Sequence, residues 1–203
     1  MGKNIGLIPL GFTEIWSASF NSAIIISAGD NAEFIAFCGI NLDITIFNKE
    51  NVYLPAFLKT YPFLNVEVEN KDKKVNSLIA IDNNPKYVAK DKKIFILDKE
   101  KNLSKQVATK VELIKELNSQ RAVCRRIIAE LKKLDLLIKK DLRVKIEGKE
   151  EKVILEEFYV INMEKLLKLD DKIIASFARK GWMGIFDAHL KSISNFEKIL
   201  KAN

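Results

Sequence analysis

An α+β fold is what the chain predicts: a β-rich N-terminal half, a long central helix, a β-hairpin and a C-terminal amphipathic helix. Three observations carry this. Before position 82, apolar residues come in strand-length blocks split by turn clusters. Residues 105–138 contain no glycine or proline and repeat apolar side chains at helical spacing. Leu142, Val144 and Ile146 alternate with charged residues, Gly148-Lys-Glu-Glu151 turns the chain, and an apolar run returns over 153–161. The 203 residues read as one domain, β-rich over 1–104 and helix-hairpin-helix over 105–203.

Taken in order, 22–28 and 33–40 are strands joined by Ala28-Gly-Asp-Asn31, and 42–47 alternates as a third strand. In 52–63, Pro55 suits the first turn of a short helix and Pro62 forces Tyr61 out of the α region. Residues 64–69 and 75–81 are strands around a charged turn. Residues 86–104 are a Lys- and Asp-rich loop with a short strand at 94–97. Ser104 caps the long helix, whose stripe is Val107, Val111, Ile114, Leu117, Cys124, Ile128 and Leu131. After the hairpin, Asn162 and Asp170 cap two helices, Gly181 breaks the second, and 182–201 is the final amphipathic helix.

With 48% hydrophobic residues the chain can bury a substantial core and is not a disordered protein. No apolar window reaches membrane-spanning length, and the N-terminus shows no secretory signal, so a cytoplasmic location is expected. Cys38 and Cys124 lie far apart without metal-ligand spacing, as buried free thiols do. The net charge of +7 is uneven: residues 71–150 carry 22 basic and 12 acidic side chains. That surplus is mostly lysine, the weaker residue for bidentate phosphate or base recognition, so a nucleic-acid partner is disfavoured.

Catalytic signatures are missing. No glycine occurs between Gly39 and Gly148, which leaves no phosphate-binding loop there. His189 is the sole histidine, which removes multi-histidine metal sites, and its spacing from Ile185 and Ile193 puts it on or beside the apolar face of the last helix. The carboxylate pairs Asp170-Asp171 and Glu156-Glu157 have no second cluster at metal-ligand spacing. No catalytic residue, metal or cofactor is assigned, and an enzyme is not expected.

The densest feature is Val52-Tyr-Leu-Pro-Ala-Phe-Leu-Lys-Thr-Tyr-Pro-Phe63, which holds four aromatic residues and two of the chain's four prolines. It fits a proline-bent corner that plugs the core, or a shallow groove for a peptide or glycan. Tyr53, Phe57, Tyr61 and Phe63, with Trp182 and His189, are therefore the candidate binding residues.

The same run resembles the "VPAFLRRYPF" stretch of the SapC family, bacterial proteins linked to surface layers. Gly181-Trp-Met-Gly-Ile-Phe-Asp-Ala-His-Leu-Lys-Ser-Ile-Ser-Asn-Phe196 is similar to that family's "GWL…AHLLSLGN" ending. Ile8-Pro9-Leu10, Ile81-Asp82 and residues 158–169 follow the family's shorter motifs in order. Ser194-Asn195 departs where the family tends to Gly-Asn. The resemblance implies no catalytic residues. The resemblance, the missing signal and the lack of a catalytic site together lead to the expectation of a non-enzymatic accessory protein of surface-layer biogenesis or export, binding a protein client or an export component, such as a surface-layer protein. The expected location is the cytoplasm, or the surface by a signal-less route. The alternatives are a peptide- or sugar-directed enzyme or enzyme partner with a site near Tyr61, Trp182 and His189, and a nucleic-acid-binding protein using 71–150.

Overall fold

The structure is a computed structural model that describes residues 6–40, 51–69, 75–82, 95–144 and 151–201. The chain divides into two compact units, one formed by Met1–Pro55 with Gln120–Asn203, the other by Ala56–Ser119.

The first unit is built on an antiparallel sheet. Its strands are β1 (Gly6–Pro9), β2 (Ala23–Ile26), β3 (Phe34–Gly39), β6 (Leu137–Val144) and β7 (Lys152–Ile161), in the spatial order β1-β3-β2-β7-β6. β2 is wholly apolar because both of its faces are covered. On one face Phe34 meets His189 edge-on, with ring centroids 6.0 Å apart. On the other, Phe37 packs against Phe196 at 5.2 Å. Phe34 and Phe37 point to opposite faces of β3, because side chains alternate along a strand. Helix α6 (Trp182–Ser192), which carries His189, therefore lies on one face, and α7 (Asn195–Lys201), which carries Phe196, on the other. Ala23, Ile25, Phe37, Ile154, Phe158, Phe196 and Ile199 form the core on the α7 side.

Between β1 and β2 the chain makes a 3-10 turn (Phe12–Glu14) and one turn of helix, α1 (Ile15–Ala18). Gly11 lies close to Gln120: a Cβ on it would fall 2.4 Å from Oε1 and 3.0 Å from Cβ of Gln120, so a side chain there would displace the Gln120 side chain. The Gly11 N–H donates to Oε2 of Glu14 at 2.8 Å, and the Tyr53 hydroxyl donates to Oε1 at 2.9 Å. Burial first, and then the Glu14 carboxylate, push the Tyr53 phenol up. The β2–β3 hairpin is tied down by Glu33, which accepts from Arg121 and Arg125, each at 2.7 Å.

In the second unit, α2 (Ala56–Thr60) leads into the hairpin β4 (Phe63–Glu69) and β5 (Val75–Ile81). Phe63, Val107 and Ile114 form its core, with Ile81 and Val111 packed against them. Lys110 donates to the carbonyls of Lys59 and Tyr61 at 2.6 and 3.0 Å, satisfying groups at the end of α2 that the helix itself leaves unpaired.

The capped helices form where expected. Asn162 accepts from the Lys165 amide at the start of α4 (Met163–Leu166), and Asp170 from the Lys172 amide at the start of α5 (Asp171–Arg179). Gly181 ends α5 in the left-handed region at φ 72°.

Five expectations need correction. The long helix, α3 (Lys105–Lys133), stops short of 138. The Leu136 N–H reaches back to the Leu131 carbonyl and the Asp135 N–H to that of Lys132, with Asp135 at φ 53°, a left-handed stop made by Asp in place of the usual glycine. The following strand accordingly begins at Leu137 rather than Leu142. Ser104 stands before α3, but its hydroxyl is buried without a hydrogen-bond partner, so it is not the cap its position predicts. The final helix is two helices: the Ser192 and Ser194 hydroxyls donate to the carbonyls of His189 and Lys191, competing with the helical ladder where the chain crosses to the other face of the sheet. The N-terminal stretch read as β-rich also contains the helical turns at 12–18. The expected strand at 42–47 lies outside the described residues, as do residues 86–94 of the loop and the expected turns at 70–74 and 148–150. In the described part of that loop the expected strand at 94–97 is reduced to a single bridge between Leu97 and Leu103.

Candidate binding surface

The candidate residues fall in both units. Tyr53 belongs to the first, half-buried and bonded to Glu14. Phe57, Tyr61 and Phe63 belong to the second. Phe63 is core, while Phe57 and Tyr61 are half-buried, the Tyr61 hydroxyl donating to Asp82. Trp182 is half-buried and stacked on Phe177 at 5.5 Å, with Nζ of Lys180 4.6 Å from its ring. His189 is 0% exposed. A depression of about 420 Å³ on the sheet of the first unit has an apolar lining that includes Leu7, Ile35 and Leu155, with Glu156 and Glu157 also lining it; none of the candidates lines it. Among the described residues, no group of three or more His, Cys, Asp or Glu side chains is placed to hold a metal ion, and no helix is long and apolar enough to cross a membrane.

Hydrogen bonding gives the C-terminal run of α6 and α7 a specific task. β2 and β7 pair at Ile26 and Tyr159. Beyond that rung, the Ile24 N–H donates to Oγ of Ser192 at 2.9 Å and the Ile161 N–H to Nε2 of His189 at 3.2 Å. Further on, Nδ2 of Asn195 donates to the Ser19 and Ser22 carbonyls at 2.7 and 3.1 Å. Ser192 and His189 thus satisfy buried strand amides, and Asn195 satisfies buried carbonyls of the turn before β2. Burial pushes His189 down to about 4, opposed by the Ile24 backbone, so the ring is neutral at physiological pH.

What Asn195 holds in place is the turn that follows α1, and α1 and that turn each present one aromatic ring to solvent. Trp16 is 49% exposed and Phe20 56%, an edge-to-face pair with centroids 6.1 Å apart. Nζ of Lys191 stands 5.7 Å from the Phe20 ring. The base beneath them is fixed. Ile15 and Ala18 are buried, and Ser19 donates through its hydroxyl to the Trp16 carbonyl at 2.7 Å. Large rings on a rigid base supply contact area at little entropic cost. Sequence reasoning missed this pair. Its signal was the i, i+4 spacing of Trp16 and Phe20 around the small residues Ser17, Ala18 and Ser19.

The first unit is thus an antiparallel sheet of an α+β protein, with α6 and α7 on its opposite faces and the exposed aromatic pair beside them. A SapC family model matches residues 1–199, and the chain belongs to the SapC family. No curated protein and no solved structure matches it.

Proposed function

We propose that this SapC-family chain is a non-enzymatic accessory protein of bacterial surface-layer biogenesis or export. It acts by binding a protein client or an export component. The observation that carries the reading is the Trp16–Phe20 pair, exposed yet mounted on a hydrogen-bonded base. Exposed aromatic rings on an ordered turn are the side chains from which binding hot spots are built. The enzyme alternative draws no support from His189, which is buried with Nε2 committed to a strand amide. The nucleic-acid alternative is weakened by pairing within the basic segment: Arg121 and Arg125 are bound to Glu33, Lys115 to Glu112, Lys139 to Glu157 and Arg143 to Asp141.

The test is affinity capture from native cells, with the wild-type chain beside the Trp16→Ala/Phe20→Ala double variant. Wild type should recover a surface-layer or export protein, and the variant should lose it by about tenfold or more, as loss of a hot spot does. Equal recovery by both chains would remove the aromatic pair from the reading. Recovery of nothing above background by wild type would remove the reading itself.

A further inference from the structure

In an antiparallel ladder each rung lies two residues back on one strand and two forward on the other. From Ile26 and Tyr159, the next rung between β2 and β7 would join Ile24 with Ile161. Both amides point into that gap, and both are taken by α6: Ile161 by Nε2 of His189, Ile24 by the Ser192 hydroxyl. The imidazole stands where the rung would be. Because Nε2 accepts, the neutral ring carries its proton on Nδ1. Nδ1 is buried without a hydrogen-bond partner.

We propose that His189 is a proton-operated latch across the β2–β7 seam: neutral, it substitutes for the Ile24–Ile161 rung; charged, it leaves the seam and α6 disengages with it. Protonation puts an N–H on Nε2 that faces the Ile161 N–H, so two donors meet in a site closed to water. The groups around the ring supply no counter-charge. From β2 comes the Ile24 backbone, from β3 the Phe34 ring and from β7 the Ile161 amide. On α6 itself, Asp187 and Lys191 are exposed, and on α5, which packs on α6 through Phe177 and Phe186, the charged Asp171, Lys172 and Arg179 are exposed as well. At the head of α1, the Glu14 carboxylate is held by Gly11 and Tyr53. The opening is local because each strand keeps a ladder on its other side: β2 with β3 over Ala23–Ile26, and β7 with β6.

Hydrogen exchange followed by NMR tests this, with the ring signals of the sole histidine read in the same samples. As pH falls from 6.5 toward 4, protection of the Ile24 and Ile161 amides should drop by about tenfold per pH unit relative to the β2–β3 ladder amides. The ring itself should stay neutral until pH nears 4, where its folded-state titration lies. In His189→Gln, whose side-chain carbonyl can accept from Ile161 without titrating, seam protection should stay level relative to the ladder. The latch is overturned if wild-type seam amides lose protection only in step with the β2–β3 ladder, or if the Gln variant shows the same drop. Should the Gln variant not fold, the wild-type comparison of seam with ladder decides alone.

Discussion

The Ile161 N–H donates to Nε2 of His189, 28 residues away in sequence, instead of to a neighbouring strand. A ring that must accept at Nε2 in a fully buried site must stay neutral, and stability then depends on pH. The folded chain holds His189 at about 4, against 6.5 for the free side chain. Between those values the unfolded chain binds the extra proton. Stability therefore rises with pH across that window and is lost as pH falls through it, while above 6.5 the histidine adds no slope. The full difference amounts to about 3 kcal/mol. Urea unfolding of wild type and His189→Gln at several pH values should show their difference changing by about 1.4 kcal/mol per pH unit between pH 6 and 4.5. A constant difference would contradict this account.

The two serines at the α6–α7 break should behave differently. Ser192 is buried and accepts from the Ile24 amide, whereas Ser194 is exposed and only donates to a carbonyl in its own turn. Ser192→Ala leaves the Ile24 N–H buried and unpaired, a loss of about 1–3 kcal/mol. Ser194→Ala should stay within about 0.5 kcal/mol of wild type. Chemical denaturation midpoints of the two variants give the comparison directly.

Glu33 holds two guanidinium groups, with side-chain exposures of 13% for Glu33, 22% for Arg121 and 37% for Arg125. The pairing is neither fully buried nor fully screened. Glu33→Ala should therefore cost about 1–2 kcal/mol, less than breaking a buried pair and more than a surface one. Thermal melts at low and high salt should show only partial salt sensitivity for the wild-type advantage.

Neither thiol should react in the folded chain. Burial pushes Cys38 up to about 11 and Cys124 up to about 12, so little thiolate is present at pH 8. A chromogenic disulfide reagent should label no cysteine rapidly in native buffer and both in denaturant. Fast labelling of one thiol at native pH would mean that its cover opens readily.

Much of the fold was legible because its signals are local. Helical spacing marked α3, turn residues marked the β2–β3, β4–β5 and β6–β7 hairpins, and Asn162, Asp170 and Gly181 marked helix ends through their own backbone chemistry. The stop after Lys133 was not legible, because Asp135 takes the left-handed position that glycine usually marks. The break after Ser192 was hidden as well, since an unbroken apolar stripe runs from 182 to 200 although its two halves cover opposite faces of the sheet.

By itself the sequence determined the family, the α+β class and the apolar setting of His189, since motifs, periodicity and capping are properties of neighbouring residues. Only the tertiary structure decided what the C-terminal signature does. Ser192 meets Ile24 across 168 positions, and Asn195 meets Ser19 across 176. No spacing rule reaches that far; the buried amide of β2 and the carbonyls before it must first be brought to α6 and α7 before either side chain has a partner.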